Sequence, residues 1–342
     1  MDPRARECNL ALQRGERARG KTRLASLPTE ILIEPTNRCA RNCPTCARNF
    51  YDPRANPPGD LSAALLARIA PLFTYAERVV IGGYGEPLLA EITPAVIRAA
   101  QHAGCGTSLI TGQGNLSDAH ASRLARAGLD EILFSVDGAD DATLPRRRGY
   151  ARGELWAAIG RLRAAKPGIS IGFNVTLRRD NLDELPAIVK LAGACKAKSV
   201  AVHHQKIYTR AQAGDSALRR PEAAQAAFAA AQLVAAAAGV RLELPPLGGV
   251  QPCDQPYRLL AFRSNGVVQG CCSALFESAR PGLRLGRVPQ DNPFDLWNAP
   301  PMRAARGFLQ RREPPPIPCE NCAFRVFTPE AHERFLDEPA HA

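Results

Sequence analysis

Short apolar runs alternate with helix-periodic segments through the first 240 residues of this 342-residue chain. The apolar runs are bounded by turn residues, as buried strands are, and they lie at 31–35, 78–82, 107–111, 131–136, 169–177 and 199–203. The helix-periodic segments lie near 61–72, 92–103, 117–127, 154–165, 182–193 and 221–238. Strands that alternate with helices indicate βαβ crossovers and a parallel sheet. The sequence therefore predicts an α/β fold, with functional loops at the carboxyl ends of the strands.

Three cysteines follow the first apolar run at C-x3-C-x2-C spacing, namely Cys39, Cys43 and Cys46. Iron-sulfur clusters bind cysteine thiolates and are usually held by four, so three thiolates leave one iron open for chemistry. The alternative is a zinc knuckle or three ordinary thiols. It is disfavoured because a zinc site needs a nearby fourth ligand, and 47–72 contains neither Cys nor His.

In this loop the chain resembles the radical S-adenosylmethionine (radical SAM) enzymes. The resemblance implies a partial (β/α)6 parallel barrel and a 4Fe-4S cluster held by the three cysteines. It also implies that SAM chelates the open iron through its amino and carboxylate groups. Reductive cleavage of SAM would then give a 5'-deoxyadenosyl radical.

Further segments, each after a predicted strand, carry the same resemblance. The Gly-Gly-Tyr-Gly-Glu-Pro run from Gly82 looks like the family's GGEP segment, whose backbone and acid receive the SAM ammonium, although this copy has an inserted tyrosine. The Ser-Val-Asp-Gly run from Ser135 resembles an S-x-D-G segment near the SAM ribose, and Thr111 begins a run in place of a TNG turn. The cofactor contacts that the resemblance implies are Gly83, Tyr84, Gly85, Glu86, Thr111, Ser135, Asp137 and Asn174.

A second set of cysteines follows a breaker-rich linker at 244–249. Its spacing resembles the auxiliary-cluster extension of the SPASM/twitch subgroup, and segments 285–288 and 294–298 resemble that subgroup's linker. A full SPASM extension carries seven cysteines and two clusters, so this shorter set implies one auxiliary 4Fe-4S cluster. The implied ligands are Cys253, Cys271, Cys319 and Cys322, with Cys272 as a spare thiol. A zinc ribbon on the same four cysteines is the alternative.

These features divide the chain into four predicted parts. They are a basic N-terminal extension at 1–27, a radical SAM partial barrel at 28–243, a small cysteine-rich twitch/SPASM-like domain at 244–330 and a tail at 331–342. No segment reaches the ~20 uninterrupted apolar residues of a membrane span, and residues 1–21 lack the apolar core of a signal peptide. We therefore predict a cytoplasmic protein, in which eleven cysteines indicate metal rather than disulfides.

The formal net charge of +11 leaves a nucleic-acid partner as one hypothesis. Much of the excess lies in 4–23, 146–148 and 303–312, and those runs contain only one aromatic residue, Phe308, whereas a stacking surface requires aromatic residues interleaved with the basic ones. Solvated basic faces are therefore favoured over nucleic-acid binding. The other alternative that is not an enzyme is a protein that binds metal without catalysing a reaction.

One auxiliary cluster with four protein ligands cannot bind substrate, so its natural role is to accept an electron. Twitch-type aminocyclitol dehydrogenases, which this architecture resembles, use that chemistry, and we therefore expect oxidation of a small sugar-like or aminocyclitol-like substrate. Peptide maturases and radical epimerases share the same layout and stay as alternatives. Maturases often carry a peptide-recognition domain before the barrel, whereas 27 residues precede Pro28. The resemblance also implies an electron donor such as flavodoxin or ferredoxin.

An oxidation needs a proton acceptor near the barrel mouth. His203 and His204 end the sixth predicted strand, and alternation predicts that one of them faces into the barrel. If the enzyme were an epimerase, the spare thiol of Cys272 would be a candidate hydrogen donor.

Overall fold

The computed structural model describes residues 3–50, 54, 56–114, 116–207, 209–271, 283–310, 319, 322 and 325–329. Within these residues ten strands form one sheet, and they are β1 (Glu30–Ile33), β2 (Arg78–Ile81), β3 (Gly106–Thr111), β4 (Glu131–Ser135), β5 (Ser170–Leu177), β6 (Ser199–His204), β7 (Arg241–Glu243), β8 (Leu259–Phe262), β9 (Val267–Gln269) and β10 (Arg284–Arg287). Their order across the sheet is β10-β9-β8-β1-β2-β3-β4-β5-β6-β7.

The described residues also form α-helices, most of which lie between successive strands in the sequence. They are α1 (Pro3–Ala18), α2 (Ala63–Ile69), α3 (Thr93–His102), α4 (Asp118–Ala127), α5 (Thr143–Arg148), α6 (Arg152–Ala165), α7 (Leu185–Ala194), α8 (Arg210–Ala213), α9 (Pro221–Ala238), α10 (Gln255–Arg258), α11 (Pro293–Leu296) and α12 (Pro300–Leu309). No helix in the described ranges is long and apolar enough to cross a lipid bilayer.

The predicted α/β barrel is confirmed. Strands β1 to β7 are parallel to their neighbours, and helices connect them on one face of the sheet. Alternate strand residues such as Ile31, Val79 and Phe134 are fully buried in the main hydrophobic core. The short seventh strand β7 was not predicted, because its Arg-Leu-Glu sequence carries no apolar run.

The C-terminal segment extends the barrel sheet rather than folding apart from it. Strand β8 pairs in parallel with β1, with Phe262 opposite Ile33, and β9 and β10 then continue the sheet as antiparallel strands. The Arg306 side chain of α12 is fully buried and donates hydrogen bonds to the carbonyl oxygens of Thr22, Pro256 and Trp297. These contacts fix α12 to the segment before β1, to α10 and to the residue that follows α11. The predicted domain boundaries at 28, 244 and 331 stay predictions.

The first helix, inside the predicted basic extension, packs against the barrel through a polar face. Asn9 is buried, its Nδ2 donates to the carbonyl oxygens of Leu27 and Tyr75, and its Oδ1 accepts from the Leu27 N–H. The fully buried Glu16 carboxylate accepts the N–H groups of Ala25 and Ser26. The helix therefore organises the chain that leads into β1.

We expect Asn9→Ala to lower the free energy of unfolding by about 1–3 kcal/mol, because it leaves three backbone groups without their partner. Arg14→Ala, on the exposed side of the same helix, is the matched control and should change stability little. Urea unfolding followed by circular dichroism measures both. Equal stabilities for the two variants would contradict this account of α1.

Candidate active site

The three cysteines after β1 lie in one partly exposed loop. The Cys46 N–H donates to the Cys43 carbonyl oxygen at 3.0 Å, and Arg48 Nη1 donates to the Cys39 carbonyl oxygen at 2.8 Å. Burial raises the pKa of each thiol, and a neighbouring thiol of the same trio raises it further. The trio therefore presents soft sulfur ligands to a common space, as an iron-sulfur cluster requires. Among the described residues, no three His, Cys, Asp or Glu side chains converge closely enough to hold a single metal ion.

The glycine-rich loop after β2 packs directly against this cysteine loop. The Glu86 N–H donates to the Arg38 carbonyl oxygen at 2.8 Å. A Cβ atom at Gly85 would clash with the carbonyl oxygens of Thr36 and Arg38. Close approach of two backbones therefore explains the second glycine of the Gly-Tyr-Gly-Glu run.

The Glu86 carboxylate holds together the loops that follow β2 and β3. One oxygen accepts from the Leu88 N–H at 3.1 Å and from Thr111 Oγ1 at 2.8 Å, while the other accepts from the Gly112 N–H at 2.9 Å. Burial raises the pKa of Glu86, and these hydrogen bonds act in the opposite direction. Two predicted SAM contacts, Glu86 and Thr111, thus lie in one hydrogen-bonded unit.

Glu34, which the sequence analysis did not single out, is a second buried carboxylate in the site. It is fully buried directly after β1 and accepts the Tyr84 N–H at 2.9 Å. Its other oxygen accepts from Ser264 Oγ at 3.0 Å, in the turn between β8 and β9. At Gly83 the φ angle is +157°, and a Cβ there would lie 2.7 Å from the Glu34 Cγ atom. The only sequence signal was an acid placed directly after a buried strand.

An ion pair joins the loop after β4 to the end of α5, and the same carboxylate also contacts β5. Asp137 Oδ2 pairs with Arg148 Nε at 2.7 Å, and Asp137 Oδ1 accepts the Thr176 N–H at 2.7 Å. Although burial disfavours its charged form, Asp137 raises the pKa of Arg148, which stays charged. Ser135 is opposite Asn174 in the strand register, and its carbonyl oxygen accepts from the Tyr150 hydroxyl at 2.6 Å. Arg148 is a further site residue that the sequence analysis missed.

A cavity of about 240 Å³ opens at this end of the barrel. It is lined by Thr45, Cys46, Ala47, Gly83, Tyr84, Arg148, Thr176, His203, His204 and Lys206. Both histidines border it, and which of the two faces into the barrel stays a prediction. His204 Nε2 contacts the Pro246 carbonyl oxygen at 2.8 Å. Desolvation by the surrounding protein lowers the pKa of both rings, which favours neutral imidazoles.

The second cysteine set lies in two pairs. The Cys322 thiol is close enough to Cys253 to raise its pKa, after the larger effect of burial. Cys319 packs against a small buried cluster that contains Cys271, Leu283 and Ala305. A short antiparallel ladder joins the segments around the first pair, with the Gln251 N–H donating to the Arg325 carbonyl oxygen at 2.8 Å. Cys272 lies outside the described residues.

Comparisons with known proteins agree with this site. The profile of the radical SAM superfamily matches residues 33–192, and that of the SPASM iron-sulfur cluster-binding domain matches residues 253–323. The first match includes the cysteine trio and the loops after β2 to β4, whereas the second includes all four cysteines of the C-terminal set.

Two similar relatives are both named PqqA peptide cyclase. The protein from Methylobacterium sp. (strain 4-46) is 26% identical over 86% of this chain and 78% of its own length. That from Methylocella silvestris is 29% identical over 86% of this chain and 80% of its own length. The crystal structure of Streptococcus suis SuiB superimposes with a TM-score of 0.65 at 15% identity, over 88% of this chain and 72% of SuiB, and confirms the fold. The chain belongs to the radical SAM superfamily, in the subgroup whose C-terminal SPASM domain binds auxiliary iron-sulfur clusters.

Proposed function

We propose that this radical SAM enzyme oxidatively joins two positions of a peptide. The observation that carries the proposal is the similarity to PqqA peptide cyclases, which spans 86% of this chain and 78% of the first relative. It favours the peptide-modifying alternative over the small sugar-like substrate that the sequence analysis placed first. The epimerase alternative lacks comparable support.

In this proposal Cys39, Cys43 and Cys46 hold the SAM-binding 4Fe-4S cluster. When bound there, the cluster and SAM would supply a 5'-deoxyadenosyl radical for removal of a hydrogen atom from the substrate. A hydrogen bond from the Glu86 N–H to the Arg38 carbonyl oxygen holds the glycine-rich loop beside the cysteine loop. In that position the glycine-rich loop would contact the SAM amino group. The remaining part of SAM would contact Ser135 and Asp137, at the end of β4, and Asn174 in β5.

Formation of a bond between two atoms of one peptide, each of which carries a hydrogen, removes two hydrogen atoms overall. One leaves as the abstracted hydrogen atom, and the other leaves as a proton and an electron. We assign the proton to His203, because its ring borders the cavity and burial lowers its pKa, which leaves a neutral imidazole able to accept a proton. His204 is the weaker candidate since its Nε2 already contacts Pro246.

Cys253, Cys271, Cys319 and Cys322 would hold an auxiliary 4Fe-4S cluster, which would supply a one-electron acceptor for the reaction. Four cysteine ligands close that cluster to substrate and leave electron transfer as its role. An external one-electron donor such as flavodoxin or ferredoxin supplies the electron that cleaves SAM.

The two-cluster assignment predicts about eight iron atoms per chain after anaerobic reconstitution, from two cubane clusters. Replacing Cys39, Cys43 and Cys46 together by Ala should leave about four. Cys271→Ala should also leave about four and should still cleave SAM. Cys195→Ala is the control, because Cys195 is a buried cysteine outside both sets, and it should keep the full iron content. Zinc at the C-terminal site would refute the assignment.

The geometry at Glu86 predicts that Glu86→Gln weakens SAM binding about tenfold or more. The amide of glutamine presents an NH₂ group where the carboxylate accepts hydrogen bonds, so the loops after β2 and β3 lose their shared partner. Equilibrium dialysis with SAM measures the effect. Glu91→Gln is the control, because Glu91 is exposed and pairs with Arg123 at the surface. Equal SAM affinity in both variants would contradict the role of the Glu86 carboxylate in positioning these loops for SAM.

The peptide proposal is tested with the reconstituted enzyme, SAM, a reductant and two panels of substrates. One panel contains precursor peptides, PqqA among them, and the other contains aminocyclitols. We expect a peptide product lighter by two hydrogen atoms, detected by mass spectrometry. The amount of 5'-deoxyadenosine should rise in proportion to that product. The triple cysteine variant should give neither product.

Oxidation of an aminocyclitol with every peptide left intact would overturn the proposal. Incorporation of deuterium from deuterated water, without loss of two hydrogen atoms, would instead identify an epimerase.

A further inference from the structure

Gln205 follows β6 at the same end of the barrel as the candidate site. Its backbone N–H donates to the Leu177 carbonyl oxygen at 2.9 Å, so pairing with β5 continues one residue beyond the assigned strand. Both chain neighbours of Gln205, His204 and Lys206, line the cavity. The residue therefore lies within the wall of the barrel mouth.

The side chain of Gln205 is 2% exposed, and neither its Oε1 nor its Nε2 atom has a hydrogen-bond partner in the part of the chain that the structure describes. Buried polar groups in proteins are almost always paired, because an unpaired donor or acceptor costs free energy on folding. Gln13, another buried glutamine, shows the usual arrangement, since its Nε2 donates to the Tyr257 carbonyl oxygen at 2.8 Å. The unpaired amide of Gln205 thus calls for a partner outside the protein chain.

Strand alternation places Gln205 on the same side as His203, two residues earlier. In the strand register His203 lies opposite Thr176, and both residues border the cavity. By the same alternation, Ala201 and its register partner Asn174 share this side. Gln205 therefore continues a polar row along the inner wall of the barrel.

We propose that Gln205 is a ligand-binding residue whose carboxamide pairs with a ligand edge that presents a donor beside an acceptor. A carboxamide offers an acceptor oxygen and two N–H donors side by side. Two ligands of this site would present the complementary edge, namely a peptide group of the substrate and the adenine of SAM. If the ligand edge is a peptide group of the substrate, this inference rests on the proposed function. If it is the adenine of SAM, the inference rests on the family membership alone.

The test compares wild-type enzyme with Gln205→Leu, which removes both hydrogen-bonding groups at similar size. Gln232→Leu is the matched control, because it makes the same chemical change at an exposed position of α9. We expect Gln205→Leu to keep its full iron content and melting temperature, since the group it removes has no partner within the protein. If its iron content falls, Gln205→Met replaces it.

Two constants are measured for each enzyme, the Kd for SAM and the KM for the PqqA precursor peptide. An increase of about tenfold in the Kd alone assigns the adenine edge, and a similar increase in the KM alone assigns a peptide group. Unchanged values of both constants overturn the role of Gln205 and leave the proposed function intact. If the wild-type enzyme modifies no peptide, the proposed function fails, and the SAM Kd alone decides whether Gln205 binds a ligand.

Discussion

Strand β1 pairs in parallel on both of its sides, and the site depends on that arrangement. Ile33 lies opposite Ile81 on one side and Phe262 on the other, so β2 and β8 end level with β1. Because parallel strands place their carboxyl ends at one edge, the cysteine loop, the glycine-rich loop and the turn after β8 meet there. The C-terminal extension is therefore attached to the barrel at the strand that carries the radical SAM cysteines.

Two buried carboxylates at this edge hold the neighbouring loops in a fixed arrangement. Glu34 joins the glycine-rich loop to the turn containing Ser264, and Glu86 joins the same loop to the end of β3. A buried carboxylate is tolerated only when hydrogen bonds compensate its desolvation, and here backbone N–H groups supply them. The loops are thus positioned by the protein itself, which lowers the cost of ordering them when SAM binds.

The polarity of the cavity changes around the barrel mouth. At the β4–β5 side Asp137 neutralises Arg148 across 2.7 Å. At the β6 side two histidines with lowered pKa values border the cavity beside Lys206. The proposed reaction uses this difference, because the paired side holds the cofactor while the histidine side accepts a proton from the substrate.

The first six strands, the helices between them and the two cysteine sets were predictable from the sequence, because apolar periodicity and cysteine spacing are local properties. Strand β7 was not predictable, since its polar residues pair only by backbone hydrogen bonds to β6. The roles of Glu34, Arg148 and Gln205 were likewise hidden, since each depends on neighbours or on burial set by distant segments. The sequence by itself determined the chemistry available to this protein, whereas the tertiary structure alone decided which polar groups are paired and which side chains line the cavity, because those outcomes depend on contacts between residues far apart in the chain.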